Sequence, residues 1–517
     1  MRSTGIPLEF LDSLVAPARA FSGPQTHADE IWTGRPLVTF NEASPADVAR
    51  AVERAREGQR QWAELPRETR WRSANRFARL VQHHREKIIR MVQVFCGSSR
   101  YDAFDQWADM INSPLQHASA LPKVSRGQRN CGALPLVTTV WQHYMPMGVI
   151  GFFTLGDYGL SYGAADVFPA IVAGNGIVQF VPNQAYPAAE ATRQLAIAAG
   201  VPAAMWQVIP SHSRQLGIDH IDLFDHITYF GNTARGVSLV QRAQDAGVGT
   251  TTFMSVKNPA IVFADADMET AVRSVAWQAF MNAGQSSVHT EKVYVADAVY
   301  DTFVSQLRSL IERRIVVGAR YDHMVTMGSL YSQERFERTA LHVSDAVACG
   351  AQVVTGGHTR SDLGPWFFEP TVLTDVPHDA LVWDEETYGP VLVVERFTDS
   401  AVVKAEIQRS QYCNCVQVFT ADMDLARRVS HAIIAGVVMI NDGYHMTWGA
   451  WNAPIQGWRD SGTGVRHGWP AVAQYTRSML TSRSDVTTGE PMEFMALDTW
   501  EKLATFALRV MGEVQRY

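Results

Sequence analysis

The sequence predicts an α/β fold of parallel sheets covered on both faces, on three observations. The chain has 517 residues, 46% hydrophobic and 19% charged, enough for two or three domains with full cores. From about Leu136, apolar strand-like runs alternate with helical periods, the pattern that parallel sheets and their crossover helices leave in a sequence. A second series of the same kind begins near Asn258.

Before the first series, residues 44–62 ("SPADVARAVERAREGQRQW") open with a serine cap and a proline in the first turn, then keep alanine-rich helical spacing. Helical patterning continues through 67–97. Residues 135–153 ("PLVTTVWQHYMPMGVIGFF") read as strands, and 168–182 ("FPAIVAGNGIVQFVP") as a helix, a Gly-Asn stop and a buried strand. A helix (186–200), a strand (205–210) and a strand, glycine turn and helix (226–247) follow. In the second series, 259–266 is a strand, 268–284 a helix, 291–297 a strand and 299–314 a helix. Residues 332–354 read as helix then strand, followed by strands in 389–397 and 435–442. The run "AQYTRSMLTSR" (473–483) reads as an edge strand leaving the body. The tail 492–511 spaces Met495, Trp500, Leu503, Phe506 and Val510 helically, for packing on its own protein or on a neighbouring subunit.

Composition excludes several classes of function. A net charge of −7 and scattered basic residues argue against nucleic-acid binding. No run of apolar residues is long enough for a membrane span. The five cysteines (Cys96, Cys131, Cys349, Cys413, Cys415) show no disulfide framework and no metal-ligand spacing. Cys413 and Cys415 in "YCNC" would share one face of a strand. With no secretion signal in "MRSTGIPLEFLDSLV", a reducing cytoplasm is the expected setting.

One junction draws attention. "NAGQSSVHTEKVYV" (282–295) joins a helix to a β-branched strand, and reads as an exposed turn that delivers Ser286, Ser287 and His289 to the kind of site where α/β enzymes place reacting groups. A serine hydroxyl needs an adjacent base to act as a nucleophile. His289 is badly placed for that role, because side chains two apart in an extended segment point in parallel rather than toward each other.

The order of motifs resembles a full-length member of the aldehyde dehydrogenase superfamily, nearest to succinate-semialdehyde dehydrogenases of the actinobacterial type. The resemblance rests on "IWTGRPL" (31–37), "MPMGVIGFFT" (145–154), "PAIVAGN" (169–175), "ITYFGNTARG" (227–236), "VKNPAIVFADADMETAV" (256–272), "NAGQ" (282–285), "FEPTVLTDV" (368–376), "EETYGPVL" (385–392) and "DSGTGVRHG" (460–468), and covers about 30–485. It implies an aldehyde dehydrogenase-like fold. A Rossmann-like dinucleotide domain would take 1–130 and 147–255, and an α/β catalytic-type domain 256–469. Protruding oligomerisation strands would lie at 131–146 and 470–486, with a helical tail at 487–517. It also implies NAD or NADP, no metal, a small aldehyde or carboxylate-like ligand, and a homodimer or homotetramer.

The same resemblance locates the working positions, and most are substituted. The family's cysteine nucleophile falls on Ser287. The water-activating glutamate of "ELGGKNP" falls on Phe253, which transfers no proton. That motif's two glycines become Ser255 and Val256, side chains expected to narrow the tunnel. The oxyanion amide falls on Asp157, whose ionised form would repel an oxyanion while a protonated form would donate. Asp157 would otherwise cap a helix beginning near Leu160. At the cofactor, the ribose-gripping lysine becomes Phe180 and its glutamate partner Asn183. The phosphate turn keeps Gly231 and Gly236 with Asn232 between them, at a helix N-terminus that favours an anion. Glu386 matches the nicotinamide-ribose glutamate, and Tyr388 follows where an aromatic is usual.

These substitutions leave three functions open. The protein is a silent or repurposed relative that binds a ligand or partner, an enzyme using Ser287, His289, Asp157 and Glu386 for different chemistry, or an NAD(P)-dependent dehydrogenase of residual activity.

Overall fold

The computed structural model describes residues 4–131, 138–443, 449–450, 452–484 and 495–514. Its first large sheet has five strands, all paired in parallel. Trp206–Pro210, Gly176–Val181, Val149–Phe153, His226–Phe230 and Gly249–Phe253 lie in that spatial order. Val149–Phe153, Gly176–Val181 and His226–Phe230 are buried along their whole lengths, which is why they are mostly apolar, with Gln179, His226 and Thr228 the buried polar exceptions. Chain order reverses at Val149–Phe153, and in such sheets ligands collect at the carboxyl ends of the strands beside the reversal.

The second sheet has seven strands in the order Gln352–Thr355, Thr371–Thr374, Val391–Phe397, Thr290–Ala296, Asn258–Val262, Cys415–Phe419 and Val437–Ile440. Only the first pair is antiparallel. Phe280, Val293, Phe303, Val372, Trp383 and Val393 belong to the core packed on this sheet. The helix Met268–Phe280 that leads to the Ser287 junction starts where Asp267 accepts a 2.7 Å hydrogen bond from the Thr270 amide.

A third sheet leaves the body. Thr476–Ser484 pairs antiparallel with Thr138–Pro146 along its full length, and Gln128–Cys131 pairs on the other side. Met479 and Leu480 on this ribbon are exposed. The helix Pro45–Glu64 begins as its sequence requires. Ser44 Oγ accepts from the Asp47 amide at 3.4 Å and Asp47 Oδ2 accepts from the Ser44 amide at 2.9 Å.

One expectation changes, and another keeps only one of its alternatives, packing on a neighbouring subunit, for part of its length. "YCNC" is not one strand, because Tyr412–Cys413 and Cys415–Phe419 join different sheets and break the shared face; the Cys413 side chain lies outside the described residues. The tail is helical over Leu497–Val514, but Leu503, Phe506 and Leu508 are exposed; residues 485–494 and the Val510 side chain fall outside the described part. Among the described residues no helix is long and apolar enough to cross a membrane.

Candidate active site

The turn after Met268–Phe280 is buried rather than exposed. Asn282, Ala283 and Gln285 are each at most 3% accessible. Asn282, Ala283 and Gly284 all have positive φ (48°, 54° and 72°). A side chain at Gly284 would place its Cβ 2.1 Å from the Gly389 carbonyl oxygen, so glycine is required there twice over. Asp102 Oδ1 accepts from the Asn282 amide (2.9 Å), Ser98 donates to Asn282 Oδ1 (2.8 Å), and Gln285 Oε1 accepts from the Tyr331 amide (2.8 Å). These bonds hold the left-handed stretch and fix where Ser286 and Ser287 emerge.

They emerge at a cavity of about 330 Å³, whose walls include Tyr158, Tyr162, Trp277, Ser286, Ser287 and Tyr388. The Ser287 carbonyl accepts from Asn258 Nδ2 (3.2 Å) and Asn414 Nδ2 (2.8 Å). Its hydroxyl has no hydrogen-bond partner among the described residues. Of the positions selected from sequence, Ser286, Ser287 and Tyr388 line the cavity; Asp157, His289, Phe253 and Glu386 do not.

His289 is fully buried and turned away from Ser287. Its Nε2 lies 2.7 Å from Glu291 Oε1, and its Nδ1 is bonded to the Ser286 carbonyl. Glu291 Oε1 also accepts from the Thr387 and Tyr388 amides (2.8 and 2.9 Å), while Lys257 Nζ lies 2.7 Å from Oε2. Burial works against the Glu291 charge, but Lys257 and His289 overcome it and hold the carboxyl well below its ordinary range. This charged cluster is structural support behind the turn. Neither Glu291 nor Lys257 was picked out from sequence, although Glu291 shares a strand face with His289.

Phe253 ends the strand Gly249–Phe253 as an apolar plate. Its ring stacks on Phe230 (centroids 4.6 Å apart, planes at 5°), with the Arg466 guanidinium 5.3 Å from its centroid. Asp166 holds that guanidinium through bonds of 2.9 and 3.0 Å. Asp157 sits in a turn rather than at a helix cap, because its Oδ1 accepts from the next residue's amide, Tyr158 N, at 3.2 Å. Burial pushes the Asp157 carboxyl up; Arg335 and the Tyr388 hydroxyl pull the other way. Arg335, another residue sequence reasoning missed, lies 4.1 Å over the Tyr388 ring.

The positions expected to hold a dinucleotide do other work. Phe180 is 2% accessible, stacked on Phe153 (4.8 Å, 10°), with no face free for a ribose. Asn183 Nδ2 is committed to Thr26 Oγ1 (3.0 Å) and Glu42 Oε1 (2.6 Å). At the phosphate turn, Asn232 Oδ1 caps the Arg235 amide (2.9 Å) and Ser255 Oγ accepts from the Thr233 amide (3.4 Å). Gly236 is needed for packing, since a Cβ there would meet Met254 Sδ at 2.4 Å. A Cβ on Gly231 would meet the Tyr229 hydroxyl and Arg214 Nη1. Arg214, unnoticed in the sequence, bridges the carboxyl ends of two strands, donating to Phe230 O (2.6 Å) and Thr154 O (3.3 Å). Glu386 Oε1 accepts from the Val256 amide (2.9 Å), so the one retained ribose-binding side chain is also tied internally. Among the described residues, position 180 supplies no cation, and Asn232, Ser255, Arg214 and Glu386 already engage amides and carbonyls at this crevice.

Comparison with known proteins places this geometry. The model of the aldehyde dehydrogenase family matches residues 25–480. A relative from Mycolicibacterium smegmatis is 31% identical over 505 residues, covering 98% of this chain and 97% of its own. One from Mycobacterium ulcerans is 30% identical over 494 residues, covering 96% and 95%. Both carry the provisional name of an NADP(+)-linked succinate-semialdehyde dehydrogenase. Among solved structures, a betaine aldehyde dehydrogenase from Staphylococcus aureus superposes with a TM-score of 0.87 at 24% identity, covering 96% of this chain and 100% of that one. An NAD+ complex of an aldehyde dehydrogenase from Bacillus cereus gives 0.84 at 24% identity, covering 89% and 93%. With a family match over most of its length and relatives spanning nearly all of it, this chain belongs to the aldehyde dehydrogenase family.

Proposed function

We propose that the protein holds a small organic ligand in the cavity beside Ser287 and does not oxidise aldehydes through a covalent thioester-type intermediate with a dinucleotide. The observation that carries this reading is the isolation of the Ser287 hydroxyl. A hydroxyl becomes a useful nucleophile only beside a proton acceptor, and the adjacent imidazole is bonded to Glu291 instead. Phe253 supplies no base for a later hydrolysis, and its ring is held between Phe230 and Arg466. Arg214 and Phe180 support the absence of dinucleotide-linked turnover. In the same reading, residues 1–130 with 147–255 and residues 256–469 are the two domains, and the exposed ribbon and tail join copies into a homodimer or homotetramer. Met479, Leu480 and Phe506 are the exposed apolar groups that favour such contacts.

The test is to incubate purified full-length protein with NAD or NADP and succinic semialdehyde, and to follow reduced dinucleotide by absorbance and melting temperature with each dinucleotide alone. The expected result is no reduction and no cofactor-dependent shift. Steady dinucleotide reduction by the unaltered protein would restore the dehydrogenase reading.

One observation favours a second reading, an enzyme of different chemistry such as acyl transfer, isomerisation or dehydration. Burial raises the Asp157 carboxyl, and a protonated carboxyl donates a hydrogen bond as an amide does. Under that reading Asp157→Ala abolishes a turnover found by substrate screening and leaves the fold intact.

A further inference from the structure

We infer that the Lys292 amine is a covalent capture point for a small aldehyde, which enters a second cavity and condenses with the amine to an imine. The inference is independent of the cavity beside Ser287 and holds under any reading of it.

The second cavity, of about 260 Å³, lies against the seven-stranded sheet. Pro259, Lys292 and Tyr294 reach it from the strands Asn258–Val262 and Thr290–Ala296. Trp383 comes from the short helix Leu381–Asp384, and Glu406 from the helix Ser400–Arg409. The described walls of the two cavities share no residue.

Two buried lysines meet here, and the fold treats them differently. Lys257, with 4% of its side chain exposed, has Glu291 at 2.7 Å and donates to the Glu385 carbonyl at 2.8 Å. Lys292, with 7% exposed, has no share in Glu291, whose two oxygens serve Lys257 and His289. Its ion-pair partner among the described residues is Glu406, at 3.4 Å. A well-formed charge-assisted bond spans about 2.7–2.9 Å, so this counter-ion is loose. The Lys292 Nζ lies 3.6 Å from the Trp383 ring centroid, and that ring is held by stacking with His378 (4.0 Å, 17°). The amine thus rests on an aromatic plate, beside a like charge.

The surrounding charges set its protonation. Burial is the largest influence and the Lys257 charge the next, both against the ammonium, while Glu406 and Asp384 favour it. Burial and Lys257 win, and the amine is lowered from 10.5 to about 8. At pH 7 about one such amine in ten is neutral, against fewer than about one in a thousand for an ordinary lysine. Desolvation beside another cation is how a lysine becomes a nucleophile at neutral pH.

An aldehyde suits this amine. Its carbonyl carbon is electrophilic without prior activation, and condensation needs neither oxidant nor reductant. The ammonium first gives one proton to water, and the freed lone pair forms the C–N bond. The two remaining N–H protons end on the carbonyl oxygen, which departs as water, and a C=N bond replaces C=O. The neutral imine carries no buried charge, so a site that resists the ammonium favours the product. Tyr294 and Trp383 offer aromatic surface to a short alkyl chain.

Reductive trapping on the full-length protein tests this. The protein is incubated at neutral pH with n-butanal and sodium cyanoborohydride, then digested, and its peptides are mapped by mass spectrometry. The chain has six lysines, so the others serve as internal references. Butylation is expected to be about tenfold or more faster at Lys292 than at Lys502, whose side chain is 79% exposed. Lys292→Arg keeps the positive charge and cannot condense. It is expected to lose the fast phase while the other lysines react at unchanged rates. Equal rates at Lys292 and Lys502, or no adduct at Lys292, overturn the inference, as does a fast phase that survives in Lys292→Arg. If that variant fails to fold, the peptide map of the unaltered protein still decides.

Discussion

His289 Nε2 stands 2.7 Å from Glu291 Oε1, and Lys257 Nζ stands 2.7 Å from the other oxygen of the same carboxylate. All three residues are at most 6% accessible. The carboxylate is thus the hub that lets a lysine and a histidine be buried directly behind the turn carrying Ser287. Removing one member of a buried charged set leaves the others unpaired, which is more damaging than never having had the set.

Glu291→Gln is accordingly expected to destabilise the protein by about 3–5 kcal/mol, the range for breaking a buried pair from one side. Urea unfolding at neutral pH measures it. The pH dependence has a definite sign. Because Glu291 is held below the ordinary carboxyl value of 4.5, its contribution is complete above that value and is lost as pH falls below it. The variant is expected to show a shallower acid limb, and a limb identical to the unaltered protein would refute the role given to Glu291.

The cavity aspartates act in the opposite direction. Burial pushes Asp102 up to about 6 and Asp105 and Asp109 up to about 7, all from 3.8. Between those limits the folded protein binds more protons than the unfolded chain, so stability falls as pH rises from about 4 to about 7. Asp105→Asn is expected to flatten that limb and to stabilise the protein at pH 8 by on the order of 2 kcal/mol, after allowance for solvent reaching the cavity. Melting curves across this range check it, and a loss of stability at pH 8 would show that Asp105 has a counter-charge.

Much of the frame was legible in sequence, for physical reasons. Strands buried on both faces, such as Val149–Phe153 and Gly176–Val181, are mostly apolar, and the Ser-Pro start of Pro45–Glu64 has few other uses. Motif spacing singled out Ser287 as the nucleophile position and Tyr388 beside the cofactor; that both line one cavity is visible only in the structure. Arg214, Arg335 and Lys257 were not singled out. Their meaning lies in partners distant along the chain: Phe230 and Thr154 for Arg214, the Tyr388 ring for Arg335, and Glu291 for Lys257. The exposed turn expected at Asn282 failed for the same reason, since its polar groups are satisfied by Asp102 and Ser98 rather than by water.

Gly284→Ala tests the rigidity of that turn. The new Cβ would meet the Gly389 carbonyl oxygen at 2.1 Å on a backbone with φ of 72°, so either the turn or the Gly389 segment must move. The left-handed conformation alone costs about 1–2 kcal/mol for a residue with a Cβ, and the clash adds to it. A loss of at least about 2 kcal/mol in urea unfolding is expected, together with weaker ligand binding at the cavity. Retained stability would mean the close approach at Gly389 is easily relieved.

Ser287→Cys combined with Phe253→Glu asks whether nucleophile and base are the only missing parts. A thiol at 287 is intrinsically more nucleophilic than the hydroxyl and is expected to react with iodoacetamide. A glutamate at 253 enters beside Arg466, whose guanidinium now lies 5.3 Å from the ring centroid, and is expected to be captured by it as an ion pair rather than left as a base. Nothing in the pair of changes moves Arg214 from the Thr154 and Phe230 carbonyls or Phe180 from its stack on Phe153. The double variant is therefore expected to carry an alkylatable thiol yet reduce neither NAD nor NADP with succinic semialdehyde, as followed by absorbance. Dinucleotide reduction by this variant would show that the crevice beneath Arg214 opens to a cofactor, and that the block on oxidation lies in the two substituted side chains alone.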